Sequence, residues 1–305
     1  MLNQMINRYV EQYRAMGFKY RIQNCLLQNF ASFAQQRGDT YVLSDTVIEW
    51  AKQAPSTPQK RNRLLTVRRF SITMQAEDMR YEIPPADFFG CKTFNRRSPK
   101  ILSSEKLKCL LSAASKLQPE NTIRSISYAT LFALLAATGL RVGEALALNI
   151  EDITSDGILI IATKFRKDRL VPIHESTRKG IQHYLKYRVQ YATDDPALFI
   201  SNSGTRLRYP TVISIFLQLA RETGLRGAPG EHGVCLHDLR HRFAVRSLEQ
   251  CDGDYEAISH HMVALSTYLG HAHISDTYWY LHATPQLMKQ IATSQEKFYK
   301  ENNHD

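Results

Sequence analysis

The chain has 305 residues, a formal charge of +10 at pH 7 and five widely spaced cysteines with no CxxC pair. That length suggests about two domains, the cysteine pattern excludes a disulfide frame, and the positive excess in both halves favours a long polyanion as partner over a small acidic ligand. The most apolar stretch, ATLFALLAATGL, is too short to span a bilayer, and the amphipathic N-terminus MLNQMINRYVEQYRAMGF lacks a signal-peptide core, so a cytoplasmic protein is expected.

Residues 1–79 read as four helices. Leu2, Met5, Ile6, Tyr9, Val10 and Tyr13 recur at helical spacing in the first, and Ile22, Cys25, Leu26, Phe30 and Phe33 in a second over about 20–37. Ser44 is expected to cap a short third helix ending near Ala54. Thr57-Pro58 should open the fourth, with proline at its first turn. That fourth helix carries Lys60, Arg61, Arg63, Arg68 and Arg69 beside Leu64, Leu65, Val67 and Phe70, a basic face suited to phosphate contacts. Residues 80–100, with three prolines and no clear period, read as a linker.

A second domain, 101–305, is expected to be mainly helical with one small β-hairpin, an α+β arrangement. Ser103-Ser104-Glu105 signals a helix start, with helices over about 104–117 and 121–137. GILIIAT and RLVPI flank the turn KFRKD as a hairpin whose basic residues Lys164, Arg166, Lys167 and Arg169 read as solvated turn charges. Helices follow at about 176–191, 210–223, 237–250, 255–268 and 276–298.

Three stretches could carry chemistry. In TGLRVGEALAL, Gly139 should end one helix and Arg141 begin the next, where a guanidinium and free backbone N–H groups could grip an anion together. In LHDLRHRFAVRSL, His237 and Arg240 are three apart and share a helical face. A lysine in the hairpin turn could reach into a groove and deliver a proton. In LGHAHISDTYWYLHATPQL, Ser275 could cap a helix on which Tyr278 and Tyr280 lie roughly 200° apart, so only one can meet a cationic pocket. His237 and His241 are four apart, but HExxH is absent and no cysteine pair has metal spacing, so no metal site is expected.

These pieces together resemble the catalytic domain of the tyrosine recombinase/integrase family over about residues 100–298. The order is TGLR, a hairpin lysine, HDLRH, LGH, and a tyrosine nine residues after that histidine. The resemblance implies Arg141, Lys164, His237, Arg240, His271 and the nucleophile Tyr280 as catalytic residues, with Glu144 in support. It implies a SAM-like helical core DNA-binding domain at the N-terminus. The activity implied is metal- and ATP-independent strand exchange through a 3′-phosphotyrosine, with no cofactor, on double-stranded DNA by a homo-oligomer: a dimer on a site, a tetramer in the synapse. The LSTYLGH…TYWYL wording is similar to integrases of mobile elements. A type IB-like topoisomerase and a non-catalytic DNA-binding regulator are the alternatives, and a zinc enzyme is a weaker one. Trp279 and Tyr268 are read as packing groups, His273 and His282 as surface or phosphate-contact residues, and Leu287, Ile291 and Phe298 as a stripe that docks on a neighbouring subunit. The segment CDGDYEAISHHMVAL is longer than in compact family members, which leaves its path open.

Overall fold

The computed structural model describes residues 2–91, 99–120, 122–161, 168–191, 193–251, 255–280 and 296. The chain divides into two compact units, Met1–Arg96 and Arg97–Asp305.

In the first unit four helices run Leu2–Ala15 (α1), Arg21–Gln36 (α2), Ser44–Lys52 (α3) and Thr57–Gln75 (α4). Their apolar stripes meet in one core of Ile6, Tyr9, Phe30, Trp50, Leu64 and Phe70, all essentially without solvent exposure. Ser44 does not cap α3. It is the first helical residue, and the Glu82 carboxylate accepts its backbone N–H at 2.7 Å, so the orphan donor is satisfied from a distant carboxylate. Helix α4 starts at Thr57 with Ser56 before it, one residue earlier than the proline position suggested. After α4 the chain turns back: Tyr81 is buried in the same core, and Arg68 donates to the Pro84 carbonyl at 2.6 Å.

The second unit holds helices Ser104–Ser115 (α5), Ile123–Thr138 (α6), Val142–Ala147 (α7), Glu175–Arg188 (α8), Tyr209–Glu222 (α9), Asp238–Glu249 (α10), Tyr255–Leu269 (α11) and Ser275–Tyr278 (α12). Ser103 caps α5 by accepting the Lys106 N–H. Helix α6 is apolar nearly all round, which is the composition of a central helix, and it packs against α5, α8 and α10. Strands Ile158–Ile160 (β1) and Arg169–Val171 (β2) pair antiparallel, with Ile160 opposite Arg169 and Ile158 opposite Val171. The hairpin expected from the sequence is present; its turn, 162–167, lies outside the described residues, as does the expected helix beyond Tyr280 with Leu287, Ile291 and Phe298.

Most of the segment whose path the sequence left open is α11. It packs on α10 to form a second, smaller core of Ala244, Val245, Leu248, Met262, Leu265 and Leu269, closed by Tyr280. Ser275 opens α12 as its first residue, with Ile274 before it. Among the described residues no helix is long and apolar enough to cross a membrane.

Candidate active site

Two sharp turns set the site. Gly139 ends α6 at φ +63°, and a Cβ there would lie 2.5 Å from Cδ1 of Phe243 on α10. Gly270 ends α11 at φ +66°, and a Cβ there would lie 3.0 Å from the Arg169 guanidinium. Both positions combine a left-handed backbone with a close neighbour, which only glycine tolerates without strain. The turns aim the carbonyls of Gly139, Leu269 and Gly270 at one spot, and two guanidiniums meet there. Arg240 donates to Gly139 O at 2.6 Å and Leu269 O at 2.8 Å; Arg141 donates to Gly270 O at 2.9 Å.

Arg240 is 2% exposed. Burial, and then the neighbouring Arg141 charge, lower its pKa to about 10, so it stays cationic at neutral pH. Two like charges held together in a poorly solvated place repel, and an anion set between them relieves that repulsion. Paired N–H donors from two guanidiniums match the oxygens of a phosphodiester, which a lysine pair would not.

Glu144 fixes one side of this clamp. Its carboxylate accepts the Arg141 backbone N–H at 3.0 Å and the Arg141 guanidinium at 2.8 Å. It also accepts two N–H groups of Arg169, at 3.1 and 2.8 Å. Glu144 thus takes the Arg141 N–H of the helix terminus read there. Burial raises the Glu144 pKa, but Arg169 and then Arg141 outweigh it, so the carboxyl stays ionised below the usual range.

Arg169 corrects the reading of the hairpin. It is not a solvated turn charge: its side chain is 13% exposed, and it bonds both Glu144 and the Tyr268 carbonyl. Strand periodicity puts it on the same inward face as buried Val171. Its neighbour Lys164 lies outside the described residues.

The imidazoles ring the clamp. His237 precedes α10 with its side chain open to solvent; partial burial and then the Arg240 charge lower its pKa. The Asp238 carboxylate accepts the Cys235 N–H at 2.7 Å and so fixes the backbone on either side of His237. The His271 Nδ1 is 2.7 Å from the hydroxyl of fully buried Thr277, and burial followed by Arg240 lowers its pKa to about 4. Thr277 was not singled out from the sequence; its place three residues before Tyr280 carried no signal by itself.

Tyr280 is 2% exposed, while Tyr278 is 47% exposed. The opposite facing expected of the pair is what the turn after α12 produces. The Tyr280 ring is stacked 6.3 Å from that of His271, and its hydroxyl is 3.2 Å from Nδ1 of His241. Burial raises its pKa, opposed by the charge and hydrogen bonding of Arg240 and by Arg141. Tyr268 stacks on Phe243 and Trp279 packs beside His241, while His273 is exposed. His282 is outside the described residues. No cluster of three or more His, Cys, Asp or Glu side chains suited to a metal occurs among the described residues.

The site thus brings together Arg141, Glu144, His237, Arg240, His271 and Tyr280. The basic residues of α4 belong to the other unit and are not alike. Arg63 lies over the Trp50 ring at 5.0 Å and donates to the Trp50 carbonyl at 3.1 Å; Arg61 and Arg68 donate to the carbonyls of Gly90 and Pro84. Lys60 is half-buried and Arg69 is exposed.

A mainly helical unit with a two-stranded hairpin and an arginine-clamped buried tyrosine defines a tyrosine recombinase catalytic domain. Residues 100–286 match the phage integrase family. The chain is 37% identical, over 98% of both sequences, to the y4rB protein of Sinorhizobium fredii, named as an integrase/recombinase. It is 30% identical to the tyrosine recombinase XerC of Chromobacterium violaceum, over 92% of this chain and 90% of that one. Among solved structures it shares its fold with a lambda integrase dimer bound to a COC′ core site, at TM-score 0.65 and 16% identity, covering 93% of this chain and 78% of that one. A XerH recombinase in a post-cleavage complex with its difH substrate gives TM-score 0.63 at 20% identity, covering 89% of this chain and 78% of that one. The chain belongs to the phage integrase family.

Proposed function

We propose that this chain is a site-specific DNA recombinase in which Tyr280 cleaves a strand by attacking its phosphorus. The observation that carries this is the Tyr280 hydroxyl held in a closed core beside Arg240, with Arg141 sharing the same carbonyl cluster. A phosphodiester seated there exchanges those carbonyl contacts for its own oxygens. Attack on phosphorus builds negative charge on the equatorial oxygens, and donors aimed at that charge lower the barrier; losing one such donor typically costs ~10²–10³-fold in rate. His237 and His271, neutral at pH 7 by their lowered pKa values, donate further hydrogen bonds to those oxygens. Tyr280 becomes a 3′-phosphotyrosine, the departing 5′-oxygen takes a proton from Lys164, and the ester keeps the bond energy for rejoining to another 5′-hydroxyl. The chemistry of this side-chain set needs no nucleotide and no metal.

The substrate is a double-stranded site, contacted also by the helical N-terminal unit, with Arg69 as the exposed one among the basic residues Lys60, Arg61, Arg63, Arg68 and Arg69 of α4. The relatives solved on DNA as dimers and as a tetramer on a Holliday junction support the same assembly here, and the reaction belongs where chromosomal DNA is, in the cytoplasm. Integrase-like wording and the two-unit layout favour strand exchange over relaxation of supercoils. The test is incubation with nicked site DNA without metal, followed by denaturing electrophoresis. Wild type and Tyr278→Phe form a protein–DNA adduct and Tyr280→Phe does not; an adduct that survives in Tyr280→Phe overturns the assignment.

A further inference from the structure

His241 stands one turn beyond His237 on α10 and takes no part in the arginine clamp. Its ring is hemmed in by His237 at 4.5 Å, Trp279 at 5.1 Å and Tyr280 at 5.4 Å between centroids. Its Nδ1 is 3.2 Å from the Tyr280 hydroxyl oxygen. In the tautomer protonated at Nε2, Nδ1 accepts the phenolic O–H; in the other, Nδ1–H donates to the phenol oxygen. The Arg240 charge acts on the same phenol. The titratable groups facing His241 are His237 just before its helix, Arg240 on the helix, His271 from the turn after α11, and Tyr280 from the turn after α12. Burial first, and then His237, Arg240 and His271, lower its pKa to about 3, so the ring is neutral at pH 7 and, when protonated at Nε2, presents Nδ1 as an acceptor.

We propose that His241 is a further catalytic residue, the group that receives the phenolic proton of Tyr280 as its oxygen attacks phosphorus. The inference rests on Tyr280 being the nucleophile. In the step the Oη–P bond forms and the P–O5′ bond breaks. The phenolic proton passes to Nδ1, leaving an imidazolium, while the 5′-oxygen takes its proton from the acid on the leaving-group side. Rejoining runs the same path backwards, with the imidazolium returning the proton to the departing phenol oxygen. A weakly basic ring suits this task. It leaves the phenol protonated until a phosphate arrives, whose charge both raises the basicity of the imidazole and accompanies the sharp rise in acidity of a phenol that is bonding to phosphorus.

The experiment is single-turnover cleavage of nicked site DNA by the full chain, with the scissile 5′-oxygen either ordinary or replaced by sulfur, whose thiolate leaves without a proton. His241→Asn keeps a hydrogen-bond acceptor near Nδ1 but cannot be protonated. The expected result is a rate ~10²-fold below wild type on both substrates. The deficit should shrink toward about pH 9, as more of the phenol ionises unaided. Lys164→Ala, in contrast, should be slow on the oxygen substrate and restored by sulfur. A His241→Asn rate within about twofold of wild type, a deficit abolished by sulfur, or one that does not change with pH overturns the proposal. Noncovalent DNA binding is measured alongside; if His241→Asn loses it, His241→Gln is read instead, and loss in both assigns His241 to structure and overturns the proposal. Failure of the nucleophile reading shows separately, as an adduct that persists in Tyr280→Phe.

Discussion

Replacing Arg169 with methionine keeps the length of the side chain and removes its charge from the Glu144 carboxylate. That carboxylate is 10% exposed and Arg169 13%, so the pair is largely out of water. Removing one partner of a buried pair costs ~3–5 kcal/mol because the other charge is stranded. Here Arg141 still supplies its guanidinium and its backbone N–H, so a cost at or just below that range, ~2–3 kcal/mol, is expected. The pH dependence identifies the cause. In the wild type the Glu144 pKa is lowered, so its stabilisation is present above the unfolded value and is lost as pH falls through the folded one. In Arg169→Met the burial that already opposes ionisation is left less opposed, and protonation at low pH relieves the penalty. The stability gap between the two proteins, from urea unfolding followed by circular dichroism, is therefore widest at neutral pH and narrows toward about pH 4. Taking the difference cancels the histidine contributions common to both. Cleavage should fall ~10–100-fold, because Arg141 loses a fixed neighbour. A gap under ~1 kcal/mol at pH 7, or one of constant size down to pH 4, refutes the reasoning.

Gly139→Ala should lose ~2–4 kcal/mol of stability through its positive φ and the clash with Phe243, measured by the same urea unfolding, and should also slow cleavage by moving a carbonyl partner of Arg240. His271, lowered to about 4 in the fold against about 6.5 unfolded, makes the wild type lose stability as pH falls through that window, since the unfolded chain binds the proton first. His271→Gln should reduce that slope in urea midpoints taken between pH 7 and 4.5. Thr277→Val leaves the His271 Nδ1 without its hydroxyl partner and should slow adduct formation about tenfold with DNA binding retained in a filter-binding assay. Arg69→Ala should weaken DNA binding and reduce its salt slope by ~1, whereas Arg63→Ala should act first on stability, since Arg63 lies over Trp50.

The parts of the fold legible in the sequence were those where local pattern and tertiary burial agree. Helices α1 and α4 follow their apolar spacing, and the hairpin follows its flanking strands; in α2, by contrast, Ile22 and Cys25 face solvent and the buried face is Leu27, Phe30, Ala31 and Ala34, because the helix is rotated toward the core by its neighbours. The clamp was legible as ordered motifs, and the facing of Tyr278 and Tyr280 as a helical angle. What escaped was anything decided by a partner distant in sequence. The cap of α3 comes from Glu82, thirty-eight residues away, so Ser44 offered a false local signal. Arg169 looked like one more basic turn residue in KFRKDR; only its inward parity with Val171 distinguished it, and its carboxylate lies twenty-five residues earlier in the chain. Likewise His241 offered in the sequence only a four-residue spacing to His237 that does not make a metal site, because the phenol it meets is thirty-nine residues further on. On α4 the charge pattern could not separate Arg63, which packs over an indole, from exposed Arg69.

The central claim is the identity of the attacking oxygen. Trapping the protein on nicked site DNA in chelator, digesting both polymers and sequencing the nucleotide-bearing peptide by mass spectrometry reads it directly. The account predicts a 3′-linked nucleotide on Tyr280 and none on Tyr278. A nucleotide on Tyr278, on a serine, or on no residue at all while strands are still cut would contradict it.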